Sequence, residues 1–460
     1  MNTSPAALPP CSDQTGAVLL IMLFIMIFAT IALLLYSLSP ARLQNVRNQK
    51  NTQVLAMAKE GLLAYTASIA LAPTGSKKPG TLPCPDTNND GIAETSCGNA
   101  SGSTGQSLRI GRLPWKTLQL PDLRDSSGER LWYAVSSNFK NNTVIATLNS
   151  DTLGSITIRN SAGNIVHNGC LSYSLPQCPT PGSADAPYGT GAAAVIIAPG
   201  APLLRQPSGT PQDRSASGIN SAGNFLDATT INGLSHDNQG FSDFSSADGF
   251  IQGGASDADR NPLNNDQLIA ITQEQLMSVT QQRVAAELRQ CLNEYAAVNG
   301  NDGRYPWAAS ATTVSYMDST GMLFGRIPDT PFDNTVADSG GQMFNTWLGN
   351  CNINSNSGWW LNWKEQVFYA LSDAYKPTVP AFPAGCGTCI GINSPSNQAR
   401  FAIIIAGRKL AGQVRTTLAD KGKAANYLEA GNQNANQTGN YTFSRQPSTT
   451  TFNDTVIFQP

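Results

Sequence analysis

Asp86, Asn88, Asp90 and Gly91 stand at the spacing of the first half of a calcium loop. In such a loop, oxygen ligands at alternating positions wrap a hard cation and the glycine permits the sharp turn. The carbonyl of Ile92 and the carboxylate of Glu94 would extend the set, which makes calcium the one cofactor that the sequence suggests. The complete helix–loop–helix pattern fails, because Cys97 occupies the position where a bidentate Glu is needed. The competing reading is a solvated loop of Asx turns clipped by Cys84 and Cys97. Asp257, Asp259, Asn265 and Asp266 form a second, weaker acidic loop.

Catalytic patterns are scarce, and the chain reads as a non-enzyme. Its two histidines, His167 and His236, are isolated in polar stretches, so neither a zinc-protease pair nor a His-based triad has the spacing it needs. Gly189-Thr190-Gly191 leads into a strand-like run instead of following a strand into a helix, which removes the dinucleotide-loop reading. Cys386 and Cys389 have redox or half-zinc spacing, yet the corresponding place earlier in the chain holds the wider couple Cys170 and Cys178, and a structural clip suits both. Trp359, Trp360 and Trp363 cluster among Asn and Gly, as an exposed surface for a glycan or partner protein would, or as ordinary core.

Bulk composition narrows the class. With 460 residues, 40% hydrophobic and 13% charged, the chain can bury a sizeable core and divides into two domains. A net charge of -2 supplies no field for a nucleic-acid backbone, so no nucleic-acid partner is expected. Setting Cys11 aside, eight cysteines fall into sequence-near couples, Cys84 with Cys97, Cys170 with Cys178, Cys291 with Cys351, and Cys386 with Cys389. These suit an oxidising compartment, with connectivity left open and free buried thiols as the alternative.

The elements that would position these groups follow from periodicity and from an internal duplication. Ala56–Ser68 is echoed by Val284–Val298, Gly111–Pro114 by Gly325–Pro328, and Glu129–Phe139 by Glu365–Tyr375. Ala192–Leu203 returns as Arg400–Gly412, Asn224–Ala228 as Asn426–Ala430, and Asn264–Ile271 as Phe452–Gln459. Matches in one order on this scale are hard to obtain by chance. Each unit therefore reads as a helix followed by strands, an α+β architecture with the helix on one face of an antiparallel sheet. Val284, Leu288, Cys291, Tyr295 and Val298 line one helical face, with Thr272 and Gln275 as a capping box at its start. Val54, Ala58, Leu62, Tyr65 and Ile69 give the same stripe in the first unit.

Ahead of the duplication, Ala17 to Leu38 is an uncharged apolar run, long enough at about 1.5 Å per residue to cross a bilayer core. Gly16 directly precedes it, a short polar stretch lies upstream, and Pro40 interrupts the helix just after it. This arrangement, with the runs Leu82–Gly91 and Gly111–Ser136, resembles the type IV pilin and type II secretion pseudopilin family, specifically its large minor prepilin-like proteins. The resemblance implies cleavage between Gly16 and Ala17 by prepilin peptidase, methylation of Ala17, and retention of the apolar helix as a filament spine. Ile21 stands where most major pilins carry a Glu, which points to a minor or tip subunit.

The expected domains are then a leader over 1–16, a transmembrane and spine helix over 17–50, and two pilin-like domains over 51–272 and 273–460. Arg42, Arg47 and Lys50 follow the span and, counted alone, would hold the head in the cytoplasm, whereas the cysteine couples argue for the other side. The expected placement is single-pass in the inner membrane with a periplasmic head, or extracellular in a filament. Implied partners are other pilin or pseudopilin subunits, the peptidase, the inner membrane, and a surface or secreted-substrate ligand. The alternative is a membrane-anchored extracytoplasmic adhesin or binding protein outside any filament.

Overall fold

The computed structural model describes residues 15–37, 40–69, 78–98, 108–140, 147–174, 177–205, 208–215, 218–231, 234–256, 262–313, 316–331, 347, 351, 353, 358–380, 382–387 and 389–460. They fall into two compact units, Met1–Gln53 and Val54–Pro460, and the second holds both copies of the duplication.

Helix α1 spans Thr15–Ser37 in the first unit, and helix α2 runs from Pro40 in the first unit to Ser68 in the second. Proline suits that opening position, because its missing N–H belongs to a helical turn that has no acceptor for it. The expected leader, 1–14, lies outside the described residues, and the proposed cut at Gly16–Ala17 falls at the start of α1.

Among the described residues no helix is long and apolar enough to cross a membrane. This corrects the transmembrane helix expected over 17–50 and, with it, the single-pass inner-membrane placement.

Residues 54–460 are α+β. The first sheet comprises β1 (Ile110–Arg112), β2 (Trp132–Val135), β3 (Ala192–Ala198) and β4 (Gln267–Thr272), in that spatial order and antiparallel throughout. After helix α3 (Gln273–Ala296), the second sheet repeats the arrangement with β5 (Phe324–Arg326), β6 (Val367–Leu371), β7 (Phe401–Ile405) and β8 (Thr455–Gln459). Even the cross-strand rows correspond. Gly111, Tyr133, Ile196 and Ile269 lie abreast in the first sheet, and Gly325, Tyr369, Ile403 and Ile457 in the second. Both glycines are required by close approach: a Cβ would stand 2.7 Å from the Asp86 carbonyl oxygen at Gly111 and 2.1 Å from that of Ala309 at Gly325.

Strand alternation sorts each sheet into two faces. Tyr133 and Ile196, with Tyr369 and Ile403, join a core shared by both copies, into which the helices send Leu55, Ala58, Leu62, Val284, Leu288 and Leu292. The helical stripe read from the sequence is thus buried at Ala58, Leu62, Val284, Leu288, Cys291 and Tyr295. Thr272 and Gln275 close a reciprocal capping box on α3. The opposite faces carry separate cores, around Trp132, Ile197 and Phe225 in the first copy and Phe368, Ile404 and Tyr427 in the second.

Candidate functional site

The acidic loop after Cys84 turns its oxygens inward. Asp86 is fully buried, its Oδ1 accepts from the amides of Asn89 (2.6 Å) and Asp90 (3.2 Å), and its Oδ2 accepts from the amide of Gly91 (2.6 Å). Asn88 Oδ1 accepts from the Asp90 amide and Asp90 Oδ1 from the Ile92 amide. Glu94 Oε1 takes the amide and hydroxyl of Thr87, and Lys116 Nζ donates to the Asp90 carbonyl. These are stacked Asx turns. Burial raises the Asp86 carboxyl above its ordinary range.

One or both side-chain oxygens of Asp86, Asn88 and Asp90 thus accept from amides of their own loop, and among the described residues no cluster of three or more His, Cys, Asp or Glu could hold a metal. Asp257 and Asp259 lie outside the described residues. Asp86→Ala is expected to cost about 2 kcal/mol, because it strands buried N–H donors that share one carboxylate. Thermal unfolding followed by circular dichroism would measure it.

The eight cysteines among the described residues pair as sequence neighbours: Cys84–Cys97, Cys170–Cys178, Cys291–Cys351 and Cys386–Cys389. His167 Nδ1 meets the Thr190 carbonyl at 3.2 Å, and His236 is buried on the strand Leu234–Asp237. Burial lowers both below the ordinary histidine range.

Trp359, Trp360 and Trp363 are each at most 1% exposed, at and within the short helix α4 (Trp360–Trp363), and belong to the shared core. This corrects the partner-surface expectation for these residues. The rings add a large apolar payload to the core, and the polar neighbours that suggested exposure take up hydrogen bonds instead: Asn362 Oδ1 accepts from Leu148 N, and its carbonyl accepts from Asn149 Nδ2.

The most developed polar constellation in the structure was not singled out by residue type, and it occurs twice. On the outer face of the first sheet, the Arg112 guanidinium lies 4.3 Å from the Trp132 ring centre and 3.9 Å from that of Phe225, while Arg214 approaches Phe225 at 5.0 Å. In the second copy, Arg326 lies 3.6 Å from Phe368 and 4.4 Å from Tyr427, with Arg415 at 4.4 Å from Tyr427. Burial depresses Arg112 and Arg326 to about 10, so both remain charged at neutral pH.

Beside each cation–π stack sits a buried acid pair. Asp266 Oδ2 accepts from the Asp227 amide (2.8 Å) and Asn238 Nδ2 (3.0 Å), while the Asp227 carboxylate accepts from Asn265 N and Gln212 Nε2. Correspondingly, Asp454 Oδ2 accepts from the Glu429 amide (3.0 Å) and Asn432 Nδ2 (2.9 Å), and Glu429 accepts from Asn453 N and Gln413 Nε2.

Comparison with protein-family models, curated proteins and solved structures gave no match.

The duplicated cluster nevertheless had a sequence signal. Asn224–Ala228 and Asn426–Ala430 are the matched segments that carry Phe225, Asp227, Tyr427 and Glu429, and the matched Asn264–Ile271 and Phe452–Gln459 carry Asp266 and Asp454. In both copies the cluster packs a ring from a connecting segment against a sheet ring, Phe225 on Trp132 and Tyr427 on Phe368. Along α1, Val18, Leu19, Phe24, Phe28 and Leu33 are 55%, 76%, 52%, 67% and 73% exposed.

Proposed function

We propose that this chain is a minor subunit of a pilin-like filament, of the type IV pilus or type II secretion pseudopilus kind, released for assembly by prepilin peptidase between Gly16 and Ala17. The observation that carries this reading is the exposed apolar surface of α1. Burying one Val, Leu, Ile or Phe side chain is worth about 1.5–3 kcal/mol, so a helix exposing them around its whole circumference has a strong drive to pack against similar helices.

The rest of the molecule is consistent with a displayed head. The duplicated helix-on-sheet copies form one compact unit, and four disulfides accord with assembly in an oxidising compartment. The reading gives the head no catalytic role and places its work in filament assembly, secretion or adhesion.

A photocrosslinker at Phe24, in cells that make the candidate filament, is expected to capture the N-terminal helices of other subunits. Intact mass of the captured chain should begin at Ala17. Phe24→Asp should lower incorporation more than about tenfold, because a carboxylate is costly in an apolar seam. A chain that still begins at Met1 and crosslinks to no subunit would overturn the reading.

A further inference from the structure

A cavity of about 420 Å³ opens between the two copies of the duplication, within the unit Val54–Pro460. The first copy contributes Asp151, Leu153 and Tyr188, and the second contributes Arg408, Lys409 and Arg415. Three cations thus face one carboxylate. Arg415 Nη1 holds both Asp151 oxygens at 2.9 Å, and the Lys409 amide also donates to Asp151, so this acid is saturated. Arg408 donates to the Gly189 carbonyl and stands 3.8 Å from Glu274. The Lys409 side chain is exposed, and its ammonium has no partner among the described residues.

The duplication shows which of these groups the fold needs. Arg214 and Arg415 are counterparts, donating to the carbonyls of Gly200 (2.7 Å) and Gly407 (3.2 Å). Gly407 is followed by Arg408-Lys409, whereas Gly200 is followed by Ala201-Pro202. One copy therefore folds with no charge where the other places two cations at the cavity.

The first copy also lines the cavity with Tyr188 and Leu153. The Tyr188 hydroxyl donates to the Pro179 carbonyl beside the Cys170–Cys178 bridge, which fixes the ring, and Leu153 lies next to it. The space equals the liquid volume of about fourteen waters, too large for a lone ion and ample for a hexose.

We propose that this cavity binds an anionic sugar, its carboxylate or phosphate group on Lys409 and Arg408 and its C–H face on the Tyr188 ring. A wholly apolar anion would meet only two apolar side chains, and a neutral sugar would leave the ammonium unmatched. Charge-assisted hydrogen bonds supply the affinity and the aromatic ring supplies the orientation. The assignment stands independently of filament incorporation.

Calorimetric titration of the full chain with glucuronate, glucose 6-phosphate, glucose and inorganic phosphate tests this. The two anionic sugars are expected to bind at least about tenfold more tightly than glucose, the factor that one charge-assisted contact supplies. Lys409→Glu should remove that advantage while the melting temperature stays unchanged, since the side chain is exposed. Tyr188→Leu should weaken both anionic sugars and leave inorganic phosphate unaffected. Failure of both anionic sugars to bind, or equal affinity for glucose, overturns the proposal. Inorganic phosphate binding as tightly as glucose 6-phosphate also overturns it, reducing the cavity to an ion site.

Discussion

Replacing Cys291 and Cys351 together by Ala is expected to destabilise the Val54–Pro460 unit by about 4 kcal/mol, the chain entropy released when a cross-link over a separation of 60 residues is lost. Both residues are buried in the shared core, Cys291 on the inward face of α3, so Ala keeps the site apolar and leaves loop closure as the main change. The same relation gives about 3 kcal/mol for Cys84–Cys97, with a separation of 13, and about 1.5 kcal/mol for Cys386–Cys389, with a separation of 3. The ranking is the sharper part of the expectation. Urea unfolding of the three double variants, followed by far-ultraviolet circular dichroism, should order them by loop length. Should removal of Cys386–Cys389 cost as much as removal of Cys291–Cys351, the entropic account fails.

Periodicity and repetition made much of the architecture legible. The stripe through Val284, Leu288 and Cys291 is local information, because residues three and four apart share a helical face wherever the helix goes. The duplication went further, since strand runs matched in the sequence occupy matched places in two sheets and pair in the same rows. At Asp86, Asn88 and Asp90 spacing alone leaves two chemistries open. Oxygens at alternate positions of a tight turn can face a central cation or the turn's own amides, and the sequence pattern is the same in either case. At Trp359, Trp360 and Trp363 the polar neighbours suggested a surface, but α4 buries the rings while those neighbours find hydrogen-bond partners in the interior. The apolar run at the N-terminus predicts a membrane span, whereas among the described residues no helix is long and apolar enough to cross a membrane. The acid pairs were beyond residue-type reasoning altogether. Asp227 and Asp266 are 39 residues apart, as solvated surface acids might be, and only the fold brings them together and removes water from both.

That desolvation makes the acid pairs a source of pH dependence in the unit. Burial is the main cause that pushes Asp227 up to about 6, and burial followed by the neighbouring Asp227 charge raises Asp266 well above the carboxylate range. Burial followed by Glu429 does the same for Asp454. Arg214 and the amide donors oppose the shift in the first pair without cancelling it. Asp266 Oδ1 and Asp454 Oδ1 occupy equivalent places, both buried and both without a hydrogen-bond partner among the described residues. A carboxylate oxygen there would be stranded, whereas a protonated one can donate to the neighbouring acid.

Folded pKa values above unfolded ones mean that the native state binds the extra protons. This contribution to stability is fully present below about pH 4, is lost as pH rises through about 6, and is on the order of 3 kcal/mol for the Asp227 shift alone. Asp266→Asn carries a permanent hydrogen where the protonated acid has a titratable one, and its carbonyl can keep the bonds from Asp227 N and Asn238. The variant is therefore expected to gain stability relative to the natural chain as pH rises above the ordinary carboxylate range, because it no longer has to lose the Asp266 proton. Asp454→Asn should act in the same direction in the second copy, and the two effects should add, since the pairs share no partner. Parallel stability–pH curves for the natural chain and Asp266→Asn would show that the first pair is ionised in the folded state, and the shared-proton account would then be wrong.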